Sequence, residues 1–260
     1  MDGIIHVRNL SYNRYEELIT RRDALKKAAY QFERAYNREF GELILEIFSL
    51  KLECIRKKKT IGFCQAAANM GRAVDRNELM AFLNREMEAM QTQLDCMIED
   101  LEDARRGKVA SPKLLMDVRK IYHRLVRRIH PDVNPLMEKS EELRELWQMA
   151  VAAYNCNDLN SLQEVEVLIE KVMEQLGGGN MVIDIPNIEE KIAALEDEIK
   201  RIRETEPYTY GELLDDVTAT EAKRAELLKE KLSYEEYSTQ LDEILNGLLG
   251  EGVSLVWRMN

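Results

Sequence analysis

Two histidines and one aspartate are the side chains of this 260-residue chain best suited to chemistry. His130, Pro131 and Asp132 are consecutive, and His123 precedes them on the same predicted helix. An imidazole beside a carboxylate could act as a general base, and two imidazoles could begin a metal site. No third ligand stands at a spacing that suits a metal, and no nucleophile motif accompanies the histidines. We therefore expect a protein that is not an enzyme, with no catalytic residue, no metal and no cofactor.

Two further kinds of site are disfavoured by residue spacing. The run Gly177 to Gly179 lacks the Lys-Ser/Thr ending that a phosphate-binding P-loop requires. The four cysteines contain no Cys-x-x-Cys pair, so neither a zinc ribbon nor a disulfide framework is indicated: Cys54, Cys64, Cys96 and Cys156.

The stretch from Val118 to Ile129 separates apolar from basic side chains. On a wheel of 100° per residue the apolar ones share one arc: Val118, Ile121, Tyr122, Leu125, Val126 and Ile129. A basic run is most often only a solvated face. Here, however, Pro131 ends the helix, so we expect His130 and Asp132 to project from a loop held between packed helices. We interpret the basic arc and the loop as one partner-binding surface, made of His130, Pro131, Asp132, Arg119, Lys120, Arg124, Arg127 and Arg128.

This segment resembles the J-domain of the DnaJ co-chaperone family. In that family a basic helix with Tyr and Leu on its apolar side leads to His-Pro-Asp, and Ala-Tyr follows on the next helix. The matching residues are Arg119, Lys120, Tyr122, Leu125, Arg128, His130, Pro131 and Asp132, and then Asn134, Pro135, Trp147, Ala153 and Tyr154. The resemblance covers residues 111–176 and is specific within them.

The segment also departs from the family pattern. The short first helix of the family is not evident before Ser111, so we expect the stretch from Leu101 to Arg105 to take its place. Val133 stands where a basic residue is common. No Gly/Phe-rich segment follows, and the repeated Cys-x-x-Cys-x-Gly-x-Gly zinc motif is absent from the sequence. The resemblance therefore implies a divergent J-protein whose other segments select its target.

The resemblance implies a co-chaperone without chemistry of its own. In the family the basic helix docks on an acidic face of a DnaK-type chaperone, and His-Pro-Asp signals ATP hydrolysis. An alternative stays open, because Val133 and the altered first helix also fit a coiled-coil scaffold or adaptor whose J-like domain does not signal.

Residues 1–110 predict a long antiparallel helical hairpin, or coiled coil. Its first helix, from about Ser11 to Lys58, carries an apolar stripe: Leu25, Ala29, Phe32, Tyr36, Leu43, Ile47, Leu50 and Cys54. A loop is expected from Gly62 to Asp75. The second helix has an a/d seam: Leu83, Met87, Met90, Leu94, Met97, Leu101 and Ala104. We interpret this Met-rich seam as core rather than as a peptide-binding surface.

The rest of the chain predicts more helices, and the fold class is all-α. Residues 111–176 should hold J-domain-like helices from Ser111 to Ile129, Glu138 to Tyr154 and Leu159 to Leu176, and residues 177–187 a linker. Residues 188–260 should form a second hairpin. Its two seams are Ile188, Ile192, Leu195, Ile199 and Ile202, and then Ala225, Leu228, Leu232, Tyr237, Leu241, Leu245 and Leu248, with a kink or restart near Ser233. Three short β-branched segments are candidates for a minor sheet: Gly3–Val7, Met181–Ile185 and Val253–Trp257.

Composition limits the partners. The net charge of −11 disfavours general nucleic-acid binding, and no apolar run approaches the roughly 20 residues of a membrane span. We also expect no targeting leader in the first residues, and hence a cytoplasmic protein. The expected partners are a DnaK-type chaperone and, through the helical hairpins, a client protein or a second copy of the chain.

Overall fold

The computed structural model describes residues 2–106, 111–134, 137, 140–176, 187–250 and 255–256, with side chains described between residues 11 and 248 of those ranges. The all-α fold class is confirmed. The helices of the described residues are α1 (Asp2–Asn69), α2 (Arg76–Arg106), α3 (Pro112–Ile129), α4 (Glu141–Asn155), α5 (Leu159–Gln175), α6 (Ile188–Glu204), α7 (Tyr210–Asp215) and α8 (Val217–Gly250). Two short strands, β1 (Val74–Asp75) and β2 (Leu255–Val256), pair in parallel.

The chain divides into two compact units, and each is built from separated stretches. The first unit contains residues 1–31 and 108–209, and the second contains residues 32–107 and 210–260. Helix α1 contributes to both. This grouping differs from the consecutive segments predicted from chain breakers, because glycine and proline mark loops whereas compact units arise from packing. Of the predicted linker, only residue 187 lies within the described residues.

One hydrophobic core holds the first unit together. It draws buried side chains from five helices: Tyr15, Leu18 and Ile19 of α1, Val118, Leu125 and Ile129 of α3, Leu143 and Ala150 of α4, Leu162 and Ile169 of α5, and Leu195 and Ile199 of α6. The predicted start of α3 is confirmed, because the Ser111 side chain accepts a hydrogen bond from the Leu114 amide and Pro112 follows it. Its predicted end at Ile129 is confirmed too.

Helix α1 packs beside α3, α4 and α5. We had expected the end of α2 to lie there. Tyr15, Leu18 and Ile19 lie in the core with α3, α4 and α5. Leu101 instead packs on α1 within the second unit, where a Cβ at Gly41 would lie 2.8 Å from Leu101 Cδ1. The prediction for Leu101 to Arg105 is therefore wrong, because Leu101 packs against Gly41 of α1 in the second unit.

Helices α1 and α2 form the predicted antiparallel hairpin in the second unit. Lys59 pairs with Glu86 near the turn, and Arg105 pairs with Glu42 further along. The seam of α2 is core at its two ends, where Leu83, Met87, Leu101 and Ala104 are buried, and partly open in its middle, where Met90, Leu94 and Met97 are half-buried. The loop is only residues 70–73, shorter than predicted, and Gly71 takes its positive φ of 64° there.

Helix α8 runs parallel to α1 in the second unit. The contacts Glu39–Arg224, Glu46–Lys231 and Glu53–Ser238 recur every seven residues, as in a parallel coiled coil.

The predicted C-terminal hairpin is corrected by this packing. The buried α8 side chains include Leu227 and Leu241, whereas Leu228 and Leu232 of the predicted seam are exposed, and α6 contributes to the core of the first unit. Of the kink or restart expected near Ser233, the restart is wrong, because the helix is continuous there and its backbone amides are already bonded within the helix.

The minor sheet differs from the one expected. Leu255–Val256 lies within a predicted β segment, but its partner is Val74–Asp75, which we placed in a loop. Gly3–Val7 is helical, since α1 begins at Asp2, and Met181–Ile185 lies outside the described residues. Among the described residues, none of the helices has the length and apolar character that crossing a membrane would require.

Candidate partner-binding site

Helix α3 divides its faces as predicted. Its apolar arc is buried in full: Val118, Ile121, Tyr122, Leu125, Val126 and Ile129. Four of the basic side chains are exposed, namely Arg119, Lys120, Arg124 and Arg127, and Arg128 is half-buried. The basic arc therefore faces outward from the core of the first unit.

Three of the arginines are ion-paired within their own chain. Arg124 forms a two-pronged pair with Glu166 at 2.7 and 2.9 Å, and Arg128 lies 2.8 Å from Glu170. These two glutamates stand one turn apart on α5, matching the spacing of the two arginines on α3.

Arg127 pairs with Glu16 of α1, whose side chain is buried. The three carboxylates neutralise most of the basic arc. Sequence spacing does not indicate these ion pairs, because the glutamates lie on other helices.

Arg119 and Lys120 are the remaining cations of the arc. Within the part of the chain that the structure describes, neither forms an ion pair. Met116, one turn before Lys120, is 59% exposed. The beginning of α3 thus offers two available positive charges beside an apolar side chain.

The His-Pro-Asp turn is held by hydrogen bonds. The His130 carbonyl accepts from the amides of Val133 and Asn134, each at 2.9 Å. The Asn134 side-chain amide donates to the Arg128 carbonyl at 2.5 Å and satisfies one of the last carbonyls of α3. The backbone amide of Asp132 donates to His130 Nδ1 at 3.1 Å. Because both ends of the turn are bonded, Asp132 is presented from a fixed backbone, and its side chain is 47% exposed.

His130 does not project into solvent, contrary to our prediction. It is only 4% exposed and contacts the edge of the Trp147 ring at a centroid distance of 4.9 Å. Burial lowers the pKa of His130, and the carboxylates of Asp132 and Asp23 only partly oppose that effect.

The two ring nitrogens of His130 both meet donors. Nδ1 accepts from the Asp132 amide, and Nε2 lies 3.4 Å from the Arg22 guanidinium. A neutral imidazole has a single acceptor nitrogen, so it satisfies one of these donors and not both. The shorter contact assigns the acceptor to Nδ1. With Nδ1 as the acceptor, Arg22 lies beside His130 without donating a hydrogen bond to Nε2.

Val133 belongs to the core. It is 2% exposed and packs with the apolar side chains of α3, α4 and α5. A basic residue here would bury its charge. The departure from the family pattern at this position is thus explained by packing in this chain.

Charged residues of α1 complete the site, and sequence reasoning missed them. Asp23 accepts a hydrogen bond from the Tyr122 hydroxyl at 2.9 Å and pairs with Arg22 at 2.8 Å. Lys27 donates to the Tyr154 carbonyl at 2.5 Å and lies over that tyrosine's ring. Burial lowers the pKa of Lys27 to about 8. On a helical wheel Asp23 and Lys27 lie opposite the predicted apolar stripe of α1, so the sequence pattern indicates a solvent-facing position for them and no site.

Arg22 also reaches the turn and α6. Its guanidinium lies 3.9 Å from the Asp132 carboxylate and 3.9 Å from Glu198. Glu198 in turn pairs with Lys26 at 2.7 Å. The arrangement places a cation of α1 beside the exposed carboxylate of the turn.

The second unit contains a separate groove of about 600 Å³. Apolar side chains of α1 and α2 line it, among them Leu45, Leu50, Leu94 and Ile98, and charged side chains surround them. Among the described residues, no group of three or more His, Cys, Asp or Glu side chains is placed to hold a metal ion.

Comparison with known proteins finds no relative. No family model matches the chain, and neither a curated protein nor a solved structure does so.

Proposed function

We propose that the protein is a co-chaperone that docks on a DnaK-type chaperone and stimulates its ATP hydrolysis. The observation that carries the proposal is the fixed turn that presents the Asp132 carboxylate at the end of a helix with a basic outer face. The resemblance of residues 111–176 to the J-domain supplies the class of partner. Asp132 is the signalling side chain of this proposal, with Pro131 exposed beside it.

The docking charges are Arg119, Lys120 and Asp132. Arg124, Arg127 and Arg128 are engaged by carboxylates of their own chain, so they add little net charge toward a partner. Two available cations on an otherwise acidic protein steer an acidic partner surface toward the start of α3.

We propose the second unit as the part that contacts a client protein. Helix α8 exposes Leu228, Leu232 and Ile244, and the apolar groove lies in the same unit. Cys96 and Cys156 are exposed free thiols, which fits a reducing compartment such as the cytoplasm.

A second candidate function is a scaffold or adaptor whose J-like segment does not signal. Two observations favour it: His130 is buried, and three arginines of the basic arc are neutralised within the chain. In this candidate the segment is a structural part of the first unit, and the exposed apolar face of α8 mediates assembly.

Single-turnover ATP hydrolysis by the DnaK-type chaperone of the same cell separates the two functions. The co-chaperone proposal predicts that the chain accelerates hydrolysis, and that acceleration saturates with its concentration. A hydrolysis rate equal to that of the chaperone alone favours the adaptor. This holds both when this chain binds the chaperone to completion and when it does not bind at all.

A further inference from the structure

The contacts of Arg22 on the His-Pro-Asp turn suggest control of the proposed docking site. Asp132 is the most exposed charged group of the turn, and a carboxylate used in docking needs a cation or a donor from the partner. In this structure Arg22 of the same chain already lies 3.9 Å from that carboxylate. A partner's cation and Arg22 therefore compete for one group.

Arg22 is held in place by stronger contacts than the one it makes with the turn. It pairs with Asp23 through two nitrogens at 2.8 and 3.0 Å, and both side chains are nearly buried. Asp23 is fixed in turn by the Tyr122 hydroxyl. The guanidinium is thus anchored between α1 and α3, whatever happens at Asp132.

The contact with Asp132 is weak by comparison. It is long, it is not two-pronged, and the carboxylate is half exposed, so water and salt screen it. His130 adds no hydrogen bond to Arg22, because its acceptor nitrogen is taken by the Asp132 amide. Glu198 of α6, also at 3.9 Å, holds Arg22 from another side.

We propose that Arg22, supported by Glu198, forms an autoinhibitory contact over the His130–Asp132 turn. The inference rests on the proposed co-chaperone function and adds its regulation. In the closed state Arg22 screens the Asp132 carboxylate. A partner that supplies its own cation to Asp132 draws that exposed carboxylate away from Arg22 and leaves the Arg22–Asp23 pair intact.

Two variants and one control test the contact. Arg22→Gln removes the cation. Glu198→Gln removes one carboxylate that holds Arg22, together with its 2.7 Å pair to Lys26, and leaves the Arg22–Asp23 pair untouched, which covers the case in which Arg22→Gln folds poorly. Arg14→Gln is the matched control, since Arg14 joins α1 to α6 through Glu196 at 2.9 Å but makes no described contact with the turn. All three lose one charged group of an ion pair.

The first readout needs no partner. Acylation of His130 by diethyl pyrocarbonate, measured by peptide mass spectrometry against His123 of the same molecule, reports how often the turn opens. We expect Arg22→Gln to raise the His130 rate by about two- to five-fold, the range that a weak exposed ion pair provides. Glu198→Gln should raise it less, and Arg14→Gln should not change it.

The second readout is stimulation of the DnaK-type ATPase by the same proteins. A parallel rise in stimulation with Arg22→Gln, absent when Asp132→Asn is added, supports the autoinhibitory contact. Stimulation by the wild type that neither turn variant increases, whatever the His130 rate, overturns the autoinhibitory contact and leaves the proposed function standing. Faster acylation of His130 without stimulation by any of the proteins overturns the proposed function itself.

Discussion

The hydroxyl of Tyr122 donates a 2.9 Å hydrogen bond to the carboxylate of Asp23, which joins the basic helix to a residue 99 positions earlier in the chain. Tyr122 also stacks on Tyr154 with ring centroids 3.8 Å apart. One side chain thus connects α1, α3 and α4 at the level of the His-Pro-Asp turn. The position of Arg22 beside that turn follows from this bond, because Asp23 holds both partners.

Replacing Tyr122 by Phe should destabilise the protein by about 1 to 3 kcal/mol, since it removes a hydrogen bond to a nearly buried carboxylate. Urea unfolding measures the loss. Tyr154→Phe is the control, because no hydrogen bond of its hydroxyl is found among the described residues. Equal effects of the two substitutions would show that the Tyr122–Asp23 bond contributes nothing.

Val133→Lys should destabilise the folded state by about 3 kcal/mol or more, because an ammonium group would enter a core position that is 2% exposed. This reverses the expectation from the family pattern, in which a lysine here would strengthen docking. Met116→Lys introduces the same group at a site that is 59% exposed and should change stability by no more than about 0.5 kcal/mol. Similar unfolding midpoints for both variants would contradict the buried position of Val133.

The free energy of unfolding should fall as the pH is lowered below about 6.5, the ordinary pKa of histidine. Burial lowers the pKa of His130 in the folded state, so the unfolded chain takes up the proton first and is favoured in acid. The loss in the free energy of unfolding grows as the pH falls, until the pH reaches the pKa that His130 has in the folded protein. The Arg22 guanidinium lies beside Nε2 of His130, and the Asp132 amide lies beside Nδ1. Both groups disfavour a ring that is protonated on both nitrogens.

Comparison of the wild type with His130→Gln isolates this effect, because glutamine does not titrate. Between pH 7.5 and 5.5 the wild type should lose stability relative to the variant, as measured by urea unfolding at each pH. A difference between the two proteins that does not change with pH would mean that the pKa of His130 is not lowered by folding.

Reversing Arg119 and Lys120 to Glu should slow association with a DnaK-type chaperone more than it speeds dissociation, since steering by charge acts on the encounter. Stopped-flow binding at two salt concentrations measures both rates. Lys51→Glu with Lys58→Glu makes the same change in net charge on exposed residues of the second unit and is the control. An association rate that responds equally to both pairs would place docking elsewhere than on α3.

Local patterns in the sequence predicted much of the site. The period of apolar residues between Val118 and Ile129, the Ser111-Pro112 start and the proline after His130 together define α3 and the turn. Those signals are short-range: a cap bonds a residue three positions away, and a helical face repeats every few residues. The structure agrees with each of them.

Long-range partners could not be predicted in the same way. The burial of His130, the pairing of Arg124 with Glu166 and the place of α1 in the first core all depend on which helices pack together. Heptad seams do not specify a partner, which is why α8 was expected on α6 and is found on α1. Gly41 and Gly211 are cues of another kind, because the missing side chains admit Leu101 and Phe32.

The most direct test of the central claim is single-turnover ATP hydrolysis by a DnaK-type chaperone with the wild type, with Asp132→Asn and with Asp197→Asn. Each variant removes one carboxylate charge from an exposed or half-exposed side chain of the first unit, but only Asp132 belongs to the turn. The account predicts acceleration by the wild type and by Asp197→Asn, and the unstimulated rate with Asp132→Asn at unchanged melting temperature. Acceleration by Asp132→Asn equal to that by the wild type, or no acceleration by either, would contradict it.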